Sequence, residues 1–152
     1  MGAEVGSNFL IKFPSIADSI GIETDKEKYS IQTRIAESQK LWSKVNFIND
    51  DFRNQKKVVS KADFIVINDL PEIFPSENEQ VKCWQKLKEC LKSQAIILHT
   101  SSLRKEIKNL ELGWEIEEWL EQLDTRQIGN DYLLDSHLAV GCYGAFEVFR
   151  VR

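Results

Sequence analysis

The sequence predicts an α/β domain, a mostly parallel sheet with helices on both faces in three layers. Three observations lead there. Helix and strand signals alternate along most of the chain. Two short runs, Phe64–Ile67 and Ala95-Ile96-Ile97-Leu98, are apolar with no polar alternation, as suits strands covered on both faces of a parallel sheet. The last stretch, residues 144–152, alternates strictly near its end (A-F-E-V-F-R-V-R). That alternation predicts an antiparallel strand with one face more exposed, and Arg150 and Arg152 as solvated edge charges.

Taken in order, the chain opens with Gly2 and Gly6, four residues apart. Phe9, Leu10, Ile11 and Phe13 follow as a short apolar helix candidate that Pro14 ends. Residues 19–24 read as a strand whose end carries the carboxylate of Glu23. Asp25 is placed to cap a helix over residues 26–42, with Tyr29, Ile31, Ile35, Leu41 and Trp42 on its apolar face. Residues 44–49 (K-V-N-F-I-N) form a second strand ending at Asp50-Asp51. A polar linker over 53–57 leads to a short turn or helix near 58–61, and residues 62–68 (A-D-F-I-V-I-N) make a third strand.

Ser76, with Glu79 three positions on, predicts a capping box. The helix it starts runs to about Leu91, and Val81, Trp84, Leu87 and Leu91 form its apolar stripe at spacings of three and four. Residues 95–99 are a fourth strand that ends at Thr100-Ser101-Ser102. A helical turn is predicted over 103–109, and a helix over 113–123 with four outward glutamates and two tryptophans. Weaker strand signals lie at 131–134 and 138–142.

At 152 residues the chain reads as a single domain, able to bury about two thirds of its unfolded surface without a disulfide or metal staple. A net charge of −4 weighs against a broad nucleic-acid surface. No apolar run approaches membrane length and no leader pattern opens the sequence. Three cysteines without a C-x-x-C motif suit reduced thiols, so the expected compartment is cytoplasmic or nuclear. Cys83 and Cys90 are seven apart on one helix face and read as core residues, and no metal site is expected.

Function is sought at the strand ends. In parallel α/β sheets, ligands bind outside the carboxyl ends of the strands. Here those ends are Glu23, Asp50-Asp51, Asn68-Asp69 and His99-Thr100-Ser101. A glycine loop opening a helix, then a strand ending in an acid about 20 residues on, is also the plan of a nucleotide-type cofactor site. The acid there accepts hydrogen bonds from ribose hydroxyls.

With these pieces in place, the sequence resembles the class I (Rossmann-like) S-adenosylmethionine-dependent methyltransferases, from Gly2 to about His99 and again in the closing antiparallel strand. Gly2–Gly6 resembles the glycine-rich first motif. Gly21-Ile22-Glu23 is similar to the segment whose acid binds the ribose hydroxyls. Asn49-Asp50-Asp51-Phe52 is similar to the segment whose acid meets the adenine amine, and the Asp-Phe pair favours Asp51. Residues 62–68 resemble the fourth motif, whose strand end faces the methyl group.

The resemblance thus implies S-adenosylmethionine as cofactor, bound by Gly2, Gly6, Glu23, Asp51 and Asn68, with Asn68 and Asp69 orienting the nucleophile. G-I-E, D-D-F and A-D-F-I-V-I-N together look most like the Dot1-type histone-lysine methyltransferases, which implies a protein lysine substrate. Two features depart from the family. Glu4 stands where a glycine is expected, and the strand that should precede the glycines is missing, so the domain reads as N-terminally incomplete. Two other readings follow: a methyltransferase-like fold acting as a protein-interaction module without catalysis, and a nicotinamide dinucleotide-binding domain. Glu4 beside a diphosphate would be repulsive, which disfavours the last.

Overall fold

A computed structural model of the chain describes residues 18–39, 44–67, 76–100, 102–124 and 147–152. The chain divides into two compact units, Met1–Lys56 and Lys57–Arg152. Gly2, Glu4, Gly6, the helix candidate before Pro14, Asn68, Asp69 and the weak strands at 131–134 and 138–142 lie outside the described residues.

The first unit is a β-α-β crossover: β1 (Ser19–Ile22), α1 (Lys26–Ser38) and β2 (Val45–Ile48). The two strands are parallel, with Ser19 opposite Val45 and Ile22 opposite Ile48. Gly21 faces Phe47 across this ladder. Asp25 caps α1 as its sequence predicts: its carboxylate accepts from the backbone N–H of Glu27 at 2.8 Å and of Lys28 at 3.1 Å. The helix packs on β2.

Its buried face matches the predicted one in part: Tyr29 and Ile35 are half-buried, Ile31 is not, and Leu41 and Trp42 lie outside the described residues. Ala36 is buried and Tyr29 and Thr33 half-buried, a stripe at spacings of four and three. Ile31 is 54% exposed instead. It lies two residues past Tyr29, about 200° round the helix, and so points away from that stripe.

The second unit holds α2 (Lys56–Val59), which starts at the junction, then β3 (Phe64–Ile67), α3 (Glu77–Cys90), β4 (Ile96–His99), α4 (Leu103–Ile107), α5 (Ile116–Trp119), β5 (Leu120–Gln122) and β6 (Glu147–Val151). Its sheet has the order β3-β4-β6-β5. β3 and β4 are parallel, while β6 runs antiparallel to both its neighbours. Among the described strands, two ladders are therefore parallel and two antiparallel.

The core of this unit is where the α3 stripe meets the sheet's apolar residues. Trp84, Leu87, Cys83 and Cys90 of α3 are buried, as are Ile97, Phe149 and Val151 of the sheet. Ser76 starts α3 by accepting from the Glu79 N–H at 3.3 Å. The loop ahead of β3 is tied to the one ahead of β4 by Lys92, whose ammonium donates to the Lys61 carbonyl at 3.1 Å and pairs with Asp63.

Three expectations are corrected. β6 is an interior strand rather than an edge, because β5 pairs along its far side. Arg150 is accordingly half-buried, and its guanidinium lies 3.4 Å from the carboxylate of Glu121, its register partner on β5. Residues 113–123 do not make one helix: Gly113 takes a left-handed φ of 75°, α5 lasts a single turn, and the chain passes directly into β5. Pairing with β6 outcompetes helix continuation there. β3, finally, is not covered on both faces: Ile67 is buried, but Phe64 and Val66 are 41% and 46% exposed.

Candidate functional site

Because β1 and β2 are parallel, their carboxyl ends fall at one edge, and the residues just beyond them form a polar rim. The rim is lashed together by backbone and amide bonds. Glu23 N–H donates to the Ile48 carbonyl at 3.0 Å. The Asn49 side-chain amide reaches back to the carbonyls of Glu23 at 2.8 Å and Thr24 at 3.2 Å. Glu23 Oε1 accepts the Asp25 N–H at 2.9 Å, which fixes the carboxylate beside the start of α1. Among the described residues its second oxygen keeps its acceptor capacity.

The next residues turn sharply. Asp51 caps a 3₁₀ turn over Phe52–Asn54, its Oδ1 accepting the Arg53 N–H at 2.8 Å. Its Oδ2 accepts twice from the Arg53 guanidinium, from Nε at 2.9 Å and Nη2 at 2.6 Å. Asp50 is engaged from the other side of the turn: Oδ1 accepts from Asp51 N–H at 2.7 Å and Asn54 Nδ2 at 3.0 Å, and Oδ2 from Gln55 Nε2 at 2.6 Å.

These bonds set the electrostatics. The Asn54 amide, with Gln55 and the Asp51 N–H, holds the Asp50 carboxyl below its usual range. For Asp51, burial is the largest single influence and pushes upward. The side-chain and backbone bonds from Arg53, with its charge, together outweigh it and leave the carboxyl lowered. Both aspartates are therefore ionised at neutral pH, and the rim carries concentrated negative charge beside one arginine.

The end of β4 is used differently. His99 is fully buried, with its ring centroid 5.9 Å from that of Trp84 and its Nε2 3.3 Å from Glu106 Oε2 on α4. Glu147 of β6, opposite His99 in the ladder, accepts from Ser102 Oγ at 3.1 Å and from the Leu103 N–H at 2.9 Å. It thus caps α4 from a strand distant in sequence, and this strand end holds the fold together.

Of the sequence-predicted site residues, Glu23 and Asp51 sit on the β1–β2 rim; Gly2, Gly6, Asn68 and Asp69 lie outside the described residues. Sequence reasoning passed over Asn49 and Arg53. An amide directly after a strand was a visible signal for the first. The D-x-R spacing was the only sign of the second, and it acquires meaning only once the turn is known.

No family model and no curated protein matches the chain. Solved structures do. A protein described as an rRNA methylase from Clostridium thermocellum aligns with a TM-score of 0.53 at 12% identity, over 88% of this chain and 72% of that one. A methyltransferase from Geobacter sulfurreducens aligns with a TM-score of 0.51 at 12% identity, over 89% of this chain and 58% of that one. The chain thus spans less than two thirds of the second protein. At such identity the likeness is one of architecture: the chain has the Rossmann-like α/β fold of these methyltransferase structures.

Proposed function

We propose that this chain is an S-adenosylmethionine-dependent methyltransferase domain whose donor sits on the β1–β2 rim. The observation that carries this reading is that two adjoining parallel strand ends are each followed by an acid, Glu23 after β1 and Asp51 after β2, with the Asn49 amide tying the second strand end to the backbone of Glu23. That donor set suits an adenosine: a carboxylate with a spare oxygen for ribose hydroxyls, and a second carboxylate one strand away for an exocyclic amine. Neutral-pH ionisation of Asp51 keeps it an acceptor. The likeness to methyltransferase structures supports the same reading.

When bound, the donor supplies a methyl group already activated on a sulfonium. The chain's own residues then have to hold and align rather than transfer protons. In this reading Glu23 and Asp51 bind, Gly2 and Gly6 let the backbone approach, and Asn68 and Asp69 orient the acceptor. As acceptor we carry forward a protein lysine, on the G-I-E, D-D-F and A-D-F-I-V-I-N resemblance. Its check is methyl-lysine detected by mass spectrometry after incubation of candidate proteins with donor.

Titration calorimetry with S-adenosylhomocysteine tests the donor site. Binding is expected, weakened at least about tenfold in Glu23→Ala, since a charged acceptor contributes about 1.5–3 kcal/mol. Absence of binding to the 152-residue chain would overturn the reading. A second reading, a catalytically inactive interaction module, is favoured by the apolar surface of Phe64 and Val66. It predicts no nucleoside binding. The acidic 113–123 segment has less to offer such a partner than its sequence implies, because Trp119 is buried and packs edge-on against Trp114 at 5.3 Å.

A further inference from the structure

We propose that Arg53 is a built-in competitor for the donor's adenine amine: the nucleoside gains Asp51 Oδ2 only when the Arg53 guanidinium leaves it. The inference rests on the reading of the β1–β2 rim as the donor site and adds a regulatory contact to it.

The geometry is that of an acceptor whose Oδ2 is already taken: three of a carboxylate's roughly four acceptor positions are occupied, two of them on Oδ2. One residue supplies all three donors to Asp51, its backbone N–H to Oδ1 and two guanidinium N–H groups to Oδ2. The ion pair closes at 2.6 Å with the Arg53 and Asp51 side chains 30% and 22% exposed, so solvent and ligand both reach it. Asp50 is no freer, because its oxygens already accept three bonds, from Asp51, Asn54 and Gln55, within the same turn. A purine amine is a neutral donor, whereas the guanidinium is charged and its bonds are about twice as strong. The amine does not displace it at no cost; it binds to the fraction of molecules in which Arg53 has swung away. Apparent affinity falls by that fraction.

Arg53 also has an electrostatic reason to return. Asp50 and Asp51 are adjacent carboxylates, and the charge of Asp50 works against ionisation of Asp51 while the charge of Arg53 favours it. Removing the guanidinium leaves two like charges side by side, which the neutral amine does not compensate. A half-exposed ion pair is screened by salt. Salt therefore opens the site, which is opposite to its usual effect on polar ligands.

S-adenosylhomocysteine is the probe, because it carries the adenosine without the sulfonium charge. Its affinity is measured by calorimetry for wild type, Arg53→Ala, Arg53→Gln, Asp51→Ala and the Arg53→Ala/Asp51→Ala pair, each checked for folding by circular dichroism. Arg53→Ala is expected to bind about fivefold tighter, in the range of an exposed pair's contribution. Wild-type affinity is expected to rise between low and high salt, and Arg53→Ala affinity to stay flat. Removal of Arg53 in the Asp51→Ala background is expected to change nothing.

If wild type binds but Arg53→Ala and Arg53→Gln bind equally or more weakly, the competitor role is overturned and the donor site stands. If Asp51→Ala binds as wild type does, the inference likewise fails, since the amine does not use that carboxylate. If no variant binds, the donor site and the competitor fall together. Should Arg53→Ala not fold, Arg53→Gln and the wild-type salt series separate the same outcomes.

Discussion

An ideal Cβ on Gly21 would lie 2.6 Å from Phe47 Cδ1 and 2.7 Å from Cε1, so the phenyl ring occupies the space that any side chain would need. Gly21 is in mid-strand, where glycine usually weakens a sheet, and the ring laid over it from β2 fills the gap. Gly21→Ala should displace Phe47 and destabilise the protein by about 1–3 kcal/mol, the usual cost of overpacking. The urea midpoint measures this; an unchanged midpoint would mean the ring rotates away freely. The same neighbourhood separates what sequence conveys from what it does not. Glu23 was legible because a strand-end acid is a position along the chain. The Arg53–Asp51 pair was not, because it depends on the 3₁₀ turn over Phe52–Asn54 that Asp51 caps and that folds residue 53 back, and no periodicity encodes that turn.

Among the elements, α3 shows how much a helix can announce. Its cap, its stripe and its end near Leu91 all come from local chemistry. Ser76→Ala should remove the one side-chain acceptor for the Glu79 N–H and cost about 1 kcal/mol, read as a lower melting temperature with native circular dichroism. A drop of several kcal/mol would imply a tertiary role for Ser76. The segment after Gly113 is the opposite case. Ile116, Trp119, Leu120 and Leu123 satisfy a helical period, yet Leu120–Gln122 is a strand because β6 lies beside it. The partner that decides the matter stands about 30 residues later in sequence, beyond the reach of any local window. In the same way, the alternation of β6 revealed a strand with Phe149 and Val151 on its buried side, but not that the strand is interior.

At the scale of the whole molecule, four carboxylates respond together to acid. Asp25, held by the Lys28 and Glu27 N–H groups, Asp50 and Asp51 are lowered from an ordinary 3.8, and Glu117, bonded to Arg104, from 4.5. The folded chain holds these protons less tightly than the unfolded chain. Their stabilisation is therefore complete above about pH 5 and is lost as pH falls through the depressed values. The melting temperature should stay level from neutrality to about pH 5 and drop below about pH 4; a rise on acidification would contradict these shifts.

The placement of β6 between β4 and β5 also has a consequence for how the protein is made. During synthesis β3 and β4 can pair as soon as the intervening helix has emerged. Among the described strands, β5 has no partner until residues 147–151 have been added, and until then one edge of β4, the Ile96–His99 run, has no ladder to close it. The nascent second unit passes through that interval with a sticky apolar strand uncovered. The chain's dependence on chaperones would thus be concentrated in the interval between the emergence of β4 and that of β6.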